Sequence, residues 1–272
     1  MPHSIKFLLA GLLSIVLASS VLAQDKPDPK PADAPAAAQP GKDEPKKDEP
    51  KKDEPKKEEP KKTEPKKEEK PKPAAPSDEY EYFKMTVEGK GDIYLRLNKT
   101  RAPISTENFD SYVKEHFYDG TLIHRVVNQP ALHCIQGGGF DDKLHEKITH
   151  KPIKNESANG LKNKRATISM ARRYQPDSGT SQWFINTRDN LFLDDPQDPN
   201  DKNSAYAVFG DVIAGMNVVD QCVSVRTITK TGTTTSNQRM PLQDTPAENL
   251  VVSSVTKITK EEAEKAAGAD KK

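Results

Sequence analysis

Apolar and polar residues alternate in short runs from Tyr80 onwards, a pattern that is typical of half-buried β-strands. The runs YFKMTV and DIYLRL are separated by residues 88–91, which include two glycines, and this arrangement predicts a β-hairpin. A run near the C-terminus, LVVSSVTKI, predicts a closing strand. Further β-like runs lie between these, in the order LIHRVV, HCIQGG, ATISMA, QWFIN and AYAVFGDVI.

Helical spacing is found in two places. Phe109, Val113 and Phe117 recur every four residues in ISTENFDSYVKEHFYDG, with a proline near the start and Gly120 at the end, which predicts an amphipathic helix. The segment MNVVDQCVSV predicts a second helix. The charged tail at 259–272 is expected to be loose or a frayed helix.

Many short strands, two helices and Gly-rich turns within residues 80–258 predict a mostly β domain, either an antiparallel barrel or a sandwich with helical covers. Such a fold needs apolar side chains to fill its interior. The candidates for that interior are Trp183, Phe184, Ile185, Val208 and Phe209.

Residues 24–79 follow a different pattern and repeat KKDEP-like units. Within this segment lysines and acidic residues nearly balance, there is no aromatic residue, and proline at every fifth position of the repeat prevents a continuous helix. The segment is therefore predicted to be a disordered Lys/Glu/Pro linker. It is either a tether that holds the domain away from a surface or a neutral solubilising segment, and the sequence does not separate these two roles.

The first 23 residues have the organisation of a signal peptide. Lys6 provides a basic start, residues 7–18 form a short apolar stretch, and Val21, Leu22 and Ala23 precede the predicted cleavage point. The alternative is an uncleaved anchor, although the apolar stretch is shorter than the roughly 20 residues of a membrane span. No membrane span is expected after cleavage, so the mature protein is predicted to be exported to a periplasm or out of the cell.

Charge and cysteine content restrict the partners. The formal net charge is +1, so no basic field favours nucleic acid. Cys134 and Cys222 are the only cysteines, and they are interpreted as two separate buried thiols, with a disulfide as the alternative. We expect a monomer.

The stretch LIHRVVNQPALHCIQGGGF carries Arg125 and Gln136 but no obvious nucleophile. With IKNESANGLKNKRATISMAR, GTSQWFIN, LFLD and YAVFGDVIAGMNVVD, it resembles cyclophilin-type peptidyl-prolyl isomerases, most closely their bacterial exported branch. The similarity spans residues 85–258. It implies a closed eight-stranded antiparallel β-barrel capped by two helices, with a surface groove for proline-containing polypeptides.

The resemblance also assigns roles to residues. Arg125 matches the catalytic arginine and Gln136 the groove glutamine, while Phe184 matches the floor of the proline pocket. Tyr206 stands where some members carry histidine, and Phe192 where some carry tryptophan. The remaining positions expected to bind substrate are His124, His133, Cys134, Ala171, Arg172, Gln182 and Leu193.

The chemistry of this family explains the missing nucleophile. Rotation about an X–Pro bond is slow because the C–N bond has partial double-bond character, with a barrier of about 18–20 kcal/mol. A guanidinium that donates to the prolyl nitrogen withdraws its lone pair from the carbonyl, and Arg125 is permanently charged. Gln136 would hold the preceding carbonyl and Phe184 the proline ring. No cofactor is implied.

The chain departs from the family between Arg125 and Gln136, where it carries about three additional residues. His133 and Cys134 replace the usual Phe-Met pair, and the loop could supply Leu132 to the pocket instead. If the insertion fills the groove, a non-catalytic proline-peptide-binding module is favoured; if it projects outward, the enzyme is favoured. Cyclosporin-type inhibitors are expected to bind poorly.

Two groups of residues are weak candidates for metal sites, because their spacing does not match known patterns. His133 and Cys134, with His124 or His116 nearby, fit no standard zinc pattern. The acidic loop at 194–204 lacks the spacing and glycine of an EF-hand. No metal is therefore predicted.

Overall fold

The computed structural model describes residues 79–270. The predicted signal peptide lies outside the described residues, as does the predicted linker except for Glu79. Within the described part of the chain, no helix is long and apolar enough to cross a membrane.

Eight strands close into an antiparallel barrel in the order β1-β10-β3-β4-β6-β5-β7-β2, and β1 pairs with β2 to complete the ring. This confirms the eight-stranded barrel. The strands are β1 (Tyr80–Val87), β2 (Gly91–Asn98), β3 (Thr121–Gln129), β4 (Leu132–Gly137), β5 (Thr167–Met170), β6 (Trp183–Asn186), β7 (Val208–Ala214) and β10 (Val251–Ile258).

The predicted β1–β2 hairpin is present, with Val87 paired to Gly91 at its closed end. Gly89 and Gly91 have φ of 66° and 127°, a region that side chains with a Cβ rarely adopt. The tight turn therefore depends on the two glycines that mark it in the sequence.

Alternation along each strand separates the barrel interior from its outer face. Trp183 and Ile185 of β6 belong to the main core, together with Phe209, as the sequence predicts. Phe184 lies between them on β6 and belongs to a different cluster, so its prediction as an interior residue is wrong, because successive strand residues point to opposite faces. Val208 is buried but lies in neither cluster.

Two α-helices pack on the barrel, α1 (Pro103–Lys114) and α2 (Met216–Val223), and both were predicted. Helix α1 ends before Phe117, which packs against the core from the following turn. The first backbone N–H groups of α1 find their hydrogen-bond acceptor in a distant loop. The carboxylate of Glu156 accepts hydrogen bonds from the backbone N–H of Ile104 at 3.0 Å and of Ser105 at 2.8 Å.

The C-terminal segment differs from the expected loose or frayed tail. It forms a third helix, α3 (Lys260–Asp270). Thr259 and Glu262 cap its start reciprocally, with Thr259 N donating to Glu262 Oε2 at 2.9 Å and Glu262 N donating to Thr259 Oγ1 at 3.2 Å. Ala263 is fully buried, and Asp270 accepts a hydrogen bond from Gly215 N. These tertiary contacts keep the segment helical, although its composition alone does not predict a stable helix.

A two-stranded sheet outside the barrel was not predicted. It consists of β8 (Thr227–Thr233) and β9 (Arg239–Pro246). Met240 and Leu242 of β9 pack with Leu122, Phe140 and Leu144 in a small apolar cluster, which fixes the hairpin against β3. The hairpin therefore borders the part of β3 that carries Arg125.

Both cysteines are free and buried, which confirms the prediction of two separate thiols. Burial raises the pKa of Cys134 to about 12 and that of Cys222 to about 11. Both thiols are therefore protonated and poorly nucleophilic at neutral pH.

Candidate active site

The candidate site lies on the outer face of three neighbouring strands, β3, β4 and β6. The register pairs Arg125 with Gln136, and Gln136 with Phe184, so these three predicted residues stand in one row across the sheet. The next pair of β3 and β4 on the same face is Val127 with Cys134, because the intervening pair, Val126 with Ile135, belongs to the main core. Residues far apart in the sequence are thus brought together by strand pairing.

Seven buried residues on this face form what we call the outer apolar cluster: Val127, Leu132, Cys134, Ala171, Phe184, Leu193 and Tyr206, with Phe192 partly buried against them. The rings of Phe184 and Tyr206 meet edge to face, with centroids 6.0 Å apart. The cluster brings together Cys134, Ala171, Phe184, Phe192, Leu193 and Tyr206, all of which were predicted to contact substrate.

The additional residues between Arg125 and Gln136 lengthen the β3–β4 hairpin. Pairing continues outward to Gln129 and Leu132, and residues 128–130 at the tip are exposed. Leu132 returns to the outer apolar cluster, which also contains Phe184, the predicted floor of the proline pocket. The insertion thus projects outward at its tip and contributes one apolar side chain at its base.

His133 lies apart from the residues that line the cavity described below. Its ring Nδ1 is 3.1 Å from Asn128 Oδ1, and its backbone carbonyl accepts a hydrogen bond from Asn190 Nδ2 at 2.9 Å. The structure therefore ties His133 to the hairpin and to the loop after β6.

A cavity of about 340 Å³ opens beside the row of Arg125 and Gln136. Six predicted site residues line it: His124, Arg125, Gln136, Ala171, Arg172 and Gln182. Two apolar residues of β9, Met240 and Leu242, form part of its wall. Phe184 and Cys134 are fully buried and do not line it, so the cavity adjoins the outer apolar cluster rather than entering it.

Gln136 and Gln182 form the polar wall of the cavity. Gln136 Nε2 donates to Gln182 Oε1 at 2.9 Å. Gln136 Oε1 is buried and has no hydrogen-bond partner within residues 79–270. A buried carbonyl without a partner is costly, and an entering backbone N–H would satisfy it. The second hydrogen on Nε2 suits a peptide carbonyl.

His124 stands beside Arg125 and is 4% exposed. Burial lowers its pKa from 6.5 to about 4, a hydrogen bond with the backbone of Leu122 acts in the opposite direction, and the charge of Arg125 lowers the pKa further. Its ring packs against Phe140 with centroids 4.7 Å apart. His124 is therefore neutral at physiological pH and adds no second cation to the site.

The side chain of Arg172 makes its contacts within the protein. Its Cζ lies 4.3 Å from the centroid of the Tyr206 ring, and its Nε donates to the carbonyl of Ala205 at 3.3 Å. Its terminal nitrogens donate to the carbonyls of Arg173, Tyr174 and Ser204. Burial lowers the pKa of Arg172, while Tyr206 and Asp201 act in the opposite direction.

Three residues of β9 near the site were not singled out in the sequence. Met240 and Leu242 line the cavity, and the Oδ2 of Asp244 lies 3.8 Å from the Nε of Arg125. The only sequence signal is the alternation of Met240, Leu242 and Asp244 in RMPLQDTP, which indicates a strand but not its neighbour.

Metal chemistry finds no support in the side-chain arrangement. Between Glu79 and Asp270, no group of three or more His, Cys, Asp or Glu residues is arranged to hold a metal ion.

The architecture defines a class of protein, a closed antiparallel barrel with a partly polar, partly apolar groove on its outer face. Comparisons with known proteins identify the family. Residues 82–256 match the family model described as cyclophilin type peptidyl-prolyl cis-trans isomerase/CLD. The chain therefore belongs to the cyclophilin-type peptidyl-prolyl cis-trans isomerases, enzymes that rotate X–Pro bonds.

Bacterial relatives support the same assignment. The chain is 52% identical over 139 residues to a peptidyl-prolyl cis-trans isomerase of Acinetobacter baylyi, covering 51% of this chain and 70% of the relative. It is 44% identical over 170 residues to peptidyl-prolyl cis-trans isomerase A of Dickeya dadantii, covering 62% and 81%. It is 42% identical over 166 residues to peptidyl-prolyl cis-trans isomerase B of Escherichia coli, covering 61% and 93%.

A solved structure agrees at the level of the fold. A cyclophilin type peptidyl-prolyl cis-trans isomerase of Cryptosporidium parvum superposes with a TM-score of 0.51 at 17% identity, covering 67% of this chain and 99% of that one.

Proposed function

We propose that this isomerase acts on proline-containing segments of exported polypeptides during their folding, with Arg125 as the group that lowers the rotational barrier. The observation that carries this proposal is the position of Arg125, whose buried side chain lines the cavity and stands two residues from Val127 of the outer apolar cluster. A peptide that crosses this junction would meet a permanent cation next to an apolar surface.

The guanidinium would donate to the prolyl nitrogen as the amide twists. In the planar amide, the nitrogen lone pair is delocalised into the carbonyl and accepts hydrogen bonds poorly. In the twisted state the lone pair is localised on nitrogen, so the hydrogen bond from Arg125 strengthens. Stabilisation that exists chiefly in the twisted state is the differential binding that catalysis requires.

The other groups would bind the two sides of the X–Pro bond separately. Gln136 and Gln182 present amide groups to the peptide backbone. Phe184 and Leu132 are buried in the outer apolar cluster that adjoins the cavity, and the proline ring would lie against the edge of that cluster. His124 is neutral because of its lowered pKa, so it does not compete with the neighbouring Arg125 as a charged donor. No proton transfer or covalent intermediate is needed.

The test is an isomerisation assay on the full chain with a chromogenic X–Pro peptide, in parallel with Arg125→Ala. We expect the kcat/KM of Arg125→Ala to fall at least tenfold, which corresponds to about 1.4 kcal/mol of lost transition-state stabilisation. Arg96→Ala is the matched control, because Arg96 pairs with Asp211 between β2 and β7, away from the groove, and its loss should leave the rate unchanged.

Two results would contradict the proposal. An Arg125→Ala variant with full activity would remove Arg125 from the mechanism. A parent chain that binds the peptide without accelerating its rotation, while folded by circular dichroism, would favour a non-catalytic proline-peptide-binding module.

Export to a periplasm or out of the cell rests on the pattern of the first 23 residues. Expression of the full chain in a Gram-negative host, followed by fractionation and N-terminal sequencing, tests it. We expect a periplasmic product that begins at Gln24. A product that retains Met1 in the membrane fraction would favour an uncleaved anchor instead.

A further inference from the structure

The hairpin outside the barrel brings a carboxylate to Arg125. Asp244 of β9 places its Oδ2 3.8 Å from the Nε of Arg125, and the two side chains are 22% and 6% exposed. This distance exceeds that of a good N–H···O hydrogen bond, so the contact is ionic. Limited solvent access reduces the screening of such a pair.

The backbone of Asp244 adopts an unusual conformation at this point. Its φ is 54°, in the left-handed region that few residues other than glycine occupy, although aspartate tolerates it better than most. The pairing of β9 with β8 also shifts register between Ile228 and Lys230. A strained residue that persists next to a site is an indication that the surrounding structure holds it there for a function.

One further contact reaches Asp244, and another fixes the residue that follows it. Gln129, at the end of β3, is within 3.5 Å of Asp244 Oδ1 through its Nε2. Thr245, the next residue, is buried and donates its hydroxyl to the carbonyl of Leu242 at 2.9 Å. Asp244 is therefore held between the strand that carries Arg125 and the wall of the cavity.

We propose that Asp244 is a positioning residue that orients the guanidinium of Arg125 for X–Pro rotation. The guanidinium is planar and rigid, so the attraction of a carboxylate on its Nε side favours the side-chain conformations that keep this edge towards β9. An arginine that is already oriented loses less conformational freedom when it donates to the prolyl nitrogen. The effect is thus on the reacting step rather than on peptide affinity.

The electrostatics of Cys134 agree with this placement. Beyond the effect of burial, the charge of Arg125 lowers the pKa of the Cys134 thiol and the charge of Asp244 raises it. Both charges therefore lie within reach of Cys134, at the junction between the outer apolar cluster and Arg125.

This inference rests on the proposed role of Arg125, and a double-mutant cycle separates the two. The variants are Asp244→Ala, Asp244→Asn, Arg125→Ala and Arg125→Ala with Asp244→Ala, each assayed for kcat and KM on the full chain. We expect Asp244→Ala to lower kcat about tenfold with KM within twofold. Asp244→Asn, which keeps an oxygen at the same place, should recover part of the loss.

In the Arg125→Ala background, removing Asp244 should have no further effect on kcat. Asp211→Ala is the matched control: it removes the ionic partner of Arg96 and should leave kcat unchanged. Urea unfolding of each variant separates loss of structure from loss of rate. Should Asp244→Ala fail to fold, the Asp244→Asn variant and its combination with Arg125→Ala provide the same comparison.

The outcomes are distinguishable. Full activity of Arg125→Ala would overturn the proposed function and this inference with it. Loss of activity in Arg125→Ala, together with an unchanged kcat in Asp244→Ala, would overturn only the role of Asp244. Equal losses from Asp244→Ala in both backgrounds would likewise overturn it, because the effect would then not pass through Arg125.

Discussion

The guanidinium of Arg172 lies over the ring of Tyr206, with Cζ 4.3 Å from the ring centroid. The same guanidinium donates to the backbone carbonyls of Ser204 and Ala205. Arg172 thus fixes the chain that leads into Tyr206, and it covers the outer apolar cluster with a cation–π contact. Its side chain is engaged within the protein, so the predicted role in peptide binding would fall to its backbone.

Replacement of Arg172 should therefore affect stability before chemistry. We expect Arg172→Ala to lower the free energy of unfolding by about 3 kcal/mol, because two charge-assisted hydrogen bonds to the buried residues Ser204 and Ala205 are lost, together with the contact to Tyr206. Arg172→Lys should recover less than half, because an ammonium lacks the fork. Urea unfolding measures this. An Arg172→Ala variant as stable as Arg173→Ala, whose side chain is largely exposed, would contradict the expectation.

His124 should make stability depend on pH. Its pKa is lowered to about 4 in the folded protein, against 6.5 when unfolded, so the unfolded chain binds the extra proton between these values. Stability should therefore decrease as pH falls from about 6.5 to about 4, by about 3 kcal/mol for this group. Urea unfolding across that range should show a shallower decline in His124→Gln. The control His145→Gln should keep the steep decline, since His124 is still present.

The pH prediction has a clear contrary outcome. Parallel curves for the parent and His124→Gln between pH 4 and 6.5 would show that His124 does not carry the effect.

Leu132 should matter to both stability and peptide affinity. It is 4% exposed and packs in the outer apolar cluster, so Leu132→Ala should cost about 2–3 kcal/mol and raise KM for X–Pro peptides. Pro130→Ala at the exposed hairpin tip is the matched control and should change neither quantity. An unchanged KM in a folded Leu132→Ala variant would place the proline ring elsewhere.

Cyclosporin-type inhibitors should bind weakly. By the resemblance described above, Phe192 and Tyr206 stand where some members of the family carry tryptophan and histidine, and here the Tyr206 ring lies under Arg172. We expect micromolar or weaker inhibition of the isomerase reaction, with tighter binding to Tyr206→His. Low-nanomolar inhibition of the parent chain would refute this expectation.

Helix α3 provides a further test of tertiary packing. Ala263 is fully buried, whereas Ala269 on the same helix is exposed. Ala263→Lys should lower the free energy of unfolding by about 2 kcal/mol, because a long charged side chain replaces a buried methyl group. Ala269→Lys should stay within about 0.5 kcal/mol of the parent. Equal stability of the two variants would mean that α3 does not dock.

The barrel strands and the first two helices were predictable because their patterns are local. Alternation marks β1 and β2, and a stripe at four-residue spacing marks α1. The hairpin of β8 and β9 gave a weaker signal, since only Met240 and Leu242 alternate as apolar residues in β9 and threonine fills most of β8. Its position depends on packing against Leu122 and Phe140, which lie far away in the sequence.

The residues of the candidate site also fall into two groups, those that local motifs identify and those that only the fold brings together. Arg125 and Gln136 stand in one motif and could be selected from the sequence, together with Phe184 through a separate motif. The face on which Phe184 lies depends on register, so the same residue was also assigned to the interior, wrongly. Asp244 could not be found, because one aspartate in a polar strand is unremarkable until the fold carries it to Arg125.

The position of β1 also has a mechanical consequence. This first strand of the barrel is paired on one side with β10 and on the other with β2, and the chain enters it at Tyr80. A force transmitted from the upstream chain would load two hydrogen-bonded ladders at once, instead of peeling a strand from an open edge. Arg125 and Gln136 lie on β3 and β4, which do not pair with β1, so the ladders loaded first are not those of the candidate site.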